Sequence, residues 1–168
     1  MRLLFCYVVA LLFLGWTVDS EVKLPPKRTT LELDSLPAHS QVISTLDSVY
    51  ISAIHVDSSK AFFKTESSQE AWVARWQNML YALGDSLTSH DVQWNQKLRI
   101  TSRVYFDEQG RIDYYLYSIK ETSPGYPGQG LCDSLRTVLK SFVQTYRMDT
   151  VIGGKVAQCG PVSLMPPE

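Results

Sequence analysis

The sequence contains little histidine and little cysteine, which are common metal ligands and catalytic residues. Its three histidines, His39, His55 and His90, stand far apart, and none has a partner at metal-ligand spacing. No nucleophile with an adjacent base is recognisable, so we predict no catalytic, cofactor-binding or metal-binding residue and a protein that is not an enzyme. A net charge of -1 and a pI near 6.3 exclude the positive field with which proteins attract nucleic acid.

The chain also lacks a long hydrophobic run, except at its start. Arg2 precedes an apolar run from Leu3 to Trp16, and the small residue Ser20 follows. A membrane span needs about 20 apolar residues, so this shorter run is typical of a signal peptide, residues 1–20, cleaved after Ser20. An uncleaved membrane anchor is the alternative. We therefore expect an exported protein, in the periplasm of a bacterium, and the lack of any Asn-x-Ser/Thr site agrees with that location.

Cysteine is scarce outside this leader, which contains Cys6. The two others are Cys132 and Cys159, and an oxidising compartment permits a disulfide between them. Two separately buried thiols are an equally good interpretation, because free cysteine behaves as a small apolar residue.

The rest of the chain has an ordinary globular composition, with 45% hydrophobic and 20% charged residues. Residues 21–48 contain three prolines among Ser, Thr and single leucines, which predicts a mostly unstructured tether. A short edge strand around Thr30 to Leu33 is the alternative for this segment. A single domain then extends over residues 49–166.

The clearest local signal is a β-hairpin from Leu98 to Lys120. Asp107 to Gly110 form its turn, because Asp accepts backbone hydrogen bonds there and Gly adopts a positive φ. Alternation gives each arm one apolar face. The residues expected on these faces are Ile100, Val104 and Phe106 in the first arm and Ile112, Tyr114 and Leu116 in the second.

Two helices and two further strands flank this hairpin. The first strand is Val49 to Val56, and Ser67 with Glu70 forms a capping box that starts the first helix. The apolar stripe of this helix is Trp72, Trp76, Met79, Leu80, Leu83 and Leu87. Gly84 is expected to bend or end it.

After the hairpin, Glu121 to Gly130 is rich in Gly and Pro and predicts an exposed loop, in which Tyr126 is the large side chain. A second amphipathic helix follows. Its stripe is Leu131, Leu135, Val138, Leu139, Phe142, Val143 and Tyr146. The last strand, Lys155 to Leu164, contains Pro161, which lacks the N–H that a central strand needs, so this strand should lie at an edge, at least over its second half.

The order strand, helix, hairpin, helix, strand predicts an α+β fold of β-α-β-β-α-β type. We expect a two-layer sandwich with an antiparallel sheet and both helices on one of its faces, in a ferredoxin-like or similar arrangement. No internal repeat is present.

Residues 97–166 resemble the C-terminal domain of TonB-type energy transducers. The resemblance lies in the strand and turn RVYFDEQGRIDYYLYSI, the Gly/Pro loop, the amphipathic helix and the closing QCGPVSLMPP. It implies a periplasmic α+β domain whose sheet edge takes up a peptide strand from another envelope protein. The short segment 21–48 and the cleavable leader depart from a transducer, which needs a long anchored rod.

These observations favour a protein- or peptide-binding module over an enzyme. The candidate edge-strand binding residues are Lys155, Val156, Ala157, Gln158, Cys159 and Gly160. The partner is another envelope protein or a second copy of the domain, with no nucleic acid and no stable membrane span after leader cleavage.

An exported hydrolase is the competing class. His55 and Asp57 could form its acid–base pair, but no nucleophile stands beside them. Cys159-Gly160-Pro161 lacks the second cysteine of a redox motif, since Val162 stands there.

Overall fold

The computed structural model describes residues 24–35, 39–95, 97–119 and 128–166. Over these residues the chain forms five strands and three helices, with short 3-10 turns at Leu33–Ser35 and Ser58–Lys60. In chain order the elements are β1 (Thr29–Glu32), α1 (His39–Asp47), β2 (Ile51–Ser52), α2 (Glu66–Ser89), β3 (Leu98–Phe106), β4 (Ile112–Ser118), α3 (Gln129–Thr145) and β5 (Val156–Leu164).

All five strands belong to one sheet, in the order β1-β4-β3-β5-β2. β3 runs antiparallel to both β4 and β5, whereas β1 is parallel to β4 and β2 is parallel to β5. The fold is therefore α+β, as predicted, but the sheet is mixed rather than antiparallel. The difference arises because each outer strand comes from the N-terminal part of the chain and adds in parallel to a strand of the later part.

Helices α2 and α3 pack side by side on one face of the sheet, as the sequence predicts. Trp72, Met79 and Leu83 of α2 and Leu135 and Leu139 of α3 are wholly or almost wholly buried against it. Burial of a large apolar side chain contributes about 1.5 to 3 kcal/mol, so this layer is the main source of stability.

Helix α1 lies on the opposite face, which differs from the expectation that the helices share one face. Val42 and Leu46 of α1 cluster there with Tyr105, Tyr114 and Leu116. The predicted tether, residues 21–48, thus contains a helix and a strand over its described part, and the alternative of a short strand near Thr30 to Leu33 matches β1. These elements have weak local signals and are held by contacts distant in sequence.

The hairpin forms as predicted, with one change of face. Val104 and Phe106 lie in the α2–α3 core, and Asp107 accepts hydrogen bonds from the backbone N–H groups of Gln109 and Arg111, both at 2.9 Å. Opposite the step from Tyr105 to Phe106, however, β4 contains one extra residue, because Tyr105 pairs with Tyr114 and Phe106 with Ile112.

The extra residue is Asp113, and it makes a β-bulge. Ile112 therefore faces the α2–α3 core, whereas Tyr114 and Leu116 face α1. The prediction that Ile112, Tyr114 and Leu116 share a face is wrong for this reason.

Several element ends also differ from those expected. The strand predicted for residues 49–56 has ladder pairing only at Ile51–Ser52. Helix α2 starts from Thr65, whose side chain and that of Ser68 form the capping box, rather than from Ser67 and Glu70. It continues through Gly84 to Ser89 without ending there.

Candidate functional site

One side of strand β5 is left mostly uncovered. β2 pairs only with Val156 and Ala157, through Ile51 N–H to the Lys155 carbonyl (3.1 Å) and Ala53 N–H to the Ala157 carbonyl (2.8 Å). Beyond Ala157, no strand in the described part of the chain pairs with this side. The seven residues Gln158 to Leu164 of the nine-residue strand are thus paired with β3 alone.

The main-chain groups that face this open side follow from alternation along the strand. Since the carbonyls of Lys155 and Ala157 point to β2, those of Cys159, Pro161 and Ser163 point the same way. All three residues are exposed. Cys159 and Ser163 also offer an N–H there, and Pro161 offers none, so the edge has a gap in its row of donors.

Two of the predicted site residues are already in use. Lys155 and Ala157 form hydrogen bonds with β2. Of the candidates Lys155 to Gly160, only Cys159 therefore has a main-chain N–H that points to the open side and is not bonded to another strand of the described chain. The Gln158 side chain accepts from Trp72 Nε1 at 2.8 Å and donates to the Cys159 carbonyl at 3.1 Å, so it occupies one of the three carbonyls on the open side. The open stretch therefore lies further toward the C-terminus than predicted.

Helix α2 runs beside this edge and turns one exposed stripe toward it. The stripe recurs at steps of three and four and extends over most of the helix. Its members are Glu66, Gln69, Glu70, Val73, Ala74, Gln77, Leu80, Tyr81, Gly84 and Asp85. The apolar periodicity of the sequence marks the buried stripe and, of the residues in this one, only Leu80, because the others are mixed in polarity.

Two open clefts lie along this stripe and meet at Gln77, which lines both. The first, of about 670 Å³, lies between α2 and the segment from Ile54 to Lys64. The second, of about 330 Å³, lies between α2 and the end of β5 at Ser163, Leu164 and Met165. The two clefts together are here called the α2–β5 groove, of which the second cleft is the part lined by β5, at Ser163 and Leu164.

Exposed apolar side chains are concentrated in this groove. Val56 is fully exposed, Tyr81 is 71% exposed and Met165 is 66% exposed, and Val73 also lines the groove. Water-exposed side chains of this size gain roughly 25 cal/mol for each square ångström that a partner covers. The groove is therefore an apolar surface bordered by main-chain hydrogen-bonding groups.

Gly84 is an unusual residue at the floor of the second cleft. Glycine inside a helix costs about 1 kcal/mol relative to alanine. A Cβ at position 84 would meet no atom within 4 Å, so neither close packing nor backbone strain requires glycine here. Its effect is to leave space beside Leu80, Tyr81 and Met165.

The residues of the competing hydrolase interpretation do not converge on a reaction centre. His55 lines the first cleft, but its Nδ1 accepts from the Asp57 N–H at 3.0 Å, and Asp57 in turn caps the turn at Ser59. Side-chain and backbone hydrogen bonds from Ser59 lower the pKa of Asp57. Both residues therefore organise a local turn.

Cys132 and Cys159 are free thiols on opposite faces of the sheet. Cys132 belongs to α3 and is buried in the core, whereas Cys159 is exposed and follows Ala157 on the face of α1. The sheet lies between the two side chains, and the disulfide that the sequence permits is not formed. Of the two interpretations, separate thiols match the structure, although Cys159 is not buried.

A second polar cluster lies on the α1 face. Tyr50 Oη and Lys27 Nζ both donate to Asp113, at 2.7 and 2.6 Å, and Asp113 is only 2% exposed. Burial, and then the hydrogen bond to Asp113, raise the pKa of Tyr50. The two donors and the carboxylate bond to one another, and they connect the N-terminal segment to the bulge. We therefore assign this cluster a structural role.

Over the described ranges, no three His, Cys, Asp or Glu side chains are grouped as metal ligands. No helix in those ranges is both long and apolar enough to cross a membrane. The predicted loop residue Tyr126 lies outside the described residues.

Comparison with known proteins gives no match to any family model, curated protein or solved structure.

Proposed function

We propose that this protein is a non-enzymatic binding module, in which an extended segment of another protein adds as a strand to the uncovered side of β5. The observation that carries the proposal is the pairing of β2 with only Val156 and Ala157, which leaves the rest of a nine-residue strand open beside a groove. In strand addition, main-chain hydrogen bonds supply affinity and neighbouring pockets supply selectivity. The α2–β5 groove offers both.

The geometry favours a different protein over a second copy as the partner. If two β5 strands paired edge to edge, each copy would bring Pro161, and the shared ladder would lose a donor from both chains. Proline on an open edge is a common device against self-association. A strand from a different protein would lose only the one hydrogen bond that Pro161 cannot donate.

The sequence supports an exported location for this module. The apolar run from Leu3 to Trp16 is typical of a signal peptide, and we propose a periplasmic protein whose partner is another envelope protein. The resemblance of residues 97–166 to the TonB-type C-terminal domain supports the same class, because strand addition at a sheet edge is what that resemblance implies.

The test must remove an outward-facing N–H without disturbing the sheet. Ala157 and Gln158 are unsuitable positions, because Ala157 is covered by β2 and the alternation turns the N–H of Gln158 toward β3. Cys159→Pro removes the first free donor of the open side. Cys159→Ala is its matched control, since it removes the same thiol and keeps the N–H.

The experiment is a selection of peptides from a random display library on the full chain, followed by affinity measurement on both variants. Loss of one main-chain hydrogen bond costs about 0.5 to 1.5 kcal/mol, so we expect Cys159→Pro to bind roughly 2 to 10 times more weakly than Cys159→Ala. Amide hydrogen exchange should slow at Cys159 and Ser163 when peptide is bound.

Three outcomes contradict the proposal. They are the absence of any selected peptide, equal affinity of the two variants, and a stable dimer in sedimentation that buries the β5 edge.

A further inference from the structure

We infer that the segment bound by the α2–β5 groove is apolar and basic: it places a large apolar side chain over Gly84 and a Lys or Arg near Glu70, about six residues away. This inference rests on the proposed function and adds the chemistry of the partner to it.

The apolar position follows from the space over Gly84. Leu80 and Tyr81 stand one turn before it on α2, and Leu164 and Met165 face it from the end of β5. This cleft of about 330 Å³ has room for one large side chain, and Gly84 leaves the floor open. An aliphatic or aromatic side chain covers Tyr81 and Met165, which are otherwise exposed.

The basic position follows from the charges of the stripe. It contains Glu66, Glu70 and Asp85 and no Lys or Arg, and the basic residues of the facing segment that line the first cleft are Lys64 and His55. Lys60 of that segment is paired with Asp57. Within the described residues, Glu66, Glu70 and Asp85 form no ion pair. A cationic side chain is therefore attracted to the first cleft, and an anionic one is repelled.

The spacing between the two positions is set by the helix. Glu70 and Gly84 are separated by about 21 Å along α2, at roughly 1.5 Å for each residue. An extended segment covers the same length in about six residues, at roughly 3.3 Å each. Because six is an even number, both side chains point to the same face of the added strand, toward α2.

The test uses fluorescein-labelled nonapeptides built on Thr and Val, with Arg and Leu six positions apart and in both orders along the peptide. Binding to the full chain is measured by fluorescence polarisation. Replacing the peptide's Leu by Ser should weaken binding roughly tenfold, as expected for loss of one buried aliphatic side chain. Replacing its Arg by Glu should weaken binding roughly threefold or more at low salt, and less at high salt.

Variants of the protein assign these losses to the groove. Gly84→Leu fills the cleft and should weaken binding of the Leu peptide at least tenfold. Gly84→Ala should change the affinity for this peptide by less than about threefold. Asn78→Leu, on an exposed part of α2 outside the groove, controls for the added leucine. Gly84→Leu is expected to fold, because a Cβ there meets no atom and leucine is a better helix former than glycine.

Glu70→Lys tests the charge. It should reverse the preference, so that the Glu peptide binds more tightly than the Arg peptide. The inference is overturned if Gly84→Leu binds like Asn78→Leu, or if Glu70→Lys keeps the preference for Arg.

The two proposals fail in different ways. If Cys159→Pro binds the peptide weakly and Gly84→Leu binds it normally, strand addition is supported and the inferred chemistry of the partner is contradicted. If Gly84→Leu binds weakly and Cys159→Pro binds normally, the groove is supported as the binding site and strand addition is contradicted.

Discussion

Lys27 Nζ lies 2.6 Å from Oδ2 of Asp113, which joins the start of the described chain to the bulge of β4. The Arg28 N–H donates to the Asp113 carbonyl at 2.6 Å, so the same residue holds this segment through its backbone as well. The hydrogen bond to Asp113 is the main reason that the pKa of Lys27 is raised. The bulge thus buries the carboxylate of Asp113, which holds the residues Lys27 and Arg28 that precede β1.

Asp113→Ala should lower the free energy of unfolding by about 2 to 4 kcal/mol, because it leaves the buried Tyr50 hydroxyl without its acceptor. Lys27→Met should cost less, about 1 to 3 kcal/mol, because it leaves the Asp113 carboxylate, which is 3% exposed, without its cation but still bonded to Tyr50. Urea denaturation of both variants measures the difference.

The control for this prediction is the double variant Asp113→Ala with Tyr50→Phe. It removes both partners and should recover part of the loss. Equal costs for the single and double variants would show that the hydroxyl does not depend on Asp113.

Asp107 should give stability a measurable dependence on acid pH. Burial alone would raise its pKa, but hydrogen bonds from Arg111 and Gln109 and the charge of Arg111 lower it below 3.8. The lowered pKa means that the folded state favours the carboxylate, so its stabilisation is complete above about pH 4 and is lost as the pH falls through the lowered value.

Asp107→Asn should therefore be less stable than the wild type by about 1 to 3 kcal/mol at pH 7, and the gap should narrow below pH 3.8. Thermal unfolding at a series of pH values checks this. A gap that is constant from pH 7 to pH 3 would contradict the assignment. Asp133→Asn, which changes an exposed carboxylate with an exposed ion pair, is the control.

Phe142→Ala should lower the free energy of unfolding by about 3 to 5 kcal/mol. Phe142 is 5% exposed in the α3 layer of the core and stacks on Tyr146 with ring centroids 4.8 Å apart. Chemical denaturation measures the loss. A loss in the free energy of unfolding below 1 kcal/mol would mean that the face of α3 containing Phe142 does not pack against the sheet.

The parts of the fold that could be predicted are those with local signals. Asp107 and Gly110 mark the hairpin turn, and the stripes starting at Trp72 and Leu131 mark the two long helices. The bulge at Asp113 could not be found, because one inserted residue does not interrupt the apolar pattern that predicts a strand.

The elements that were missed depend on distant partners. β1 pairs with β4, and Glu32 of β1 forms an ion pair with Arg136 of α3. Helix α1 has only nine residues, too few for a clear stripe, and it is fixed by packing on Tyr105 and Leu116.

The candidate site was found only in part, for the same reason. Pro161 correctly indicated an open edge over the second half of β5. The pairing of β2 with Val156 and Ala157, however, is a parallel contact between segments about a hundred residues apart. No local sequence pattern predicts such a contact.

The sheet order also determines when this protein can fold during its synthesis. The outer strands β1 and β2 are made first, but each pairs with a strand made later, β4 or β5. Neither outer strand has a partner in the sheet until those later residues have left the ribosome, which are Tyr114 to Tyr117 for β1 and Val156 with Ala157 for β2. Each outer strand therefore waits for the synthesis of about a hundred further residues before its backbone hydrogen-bonding groups can be paired in the sheet.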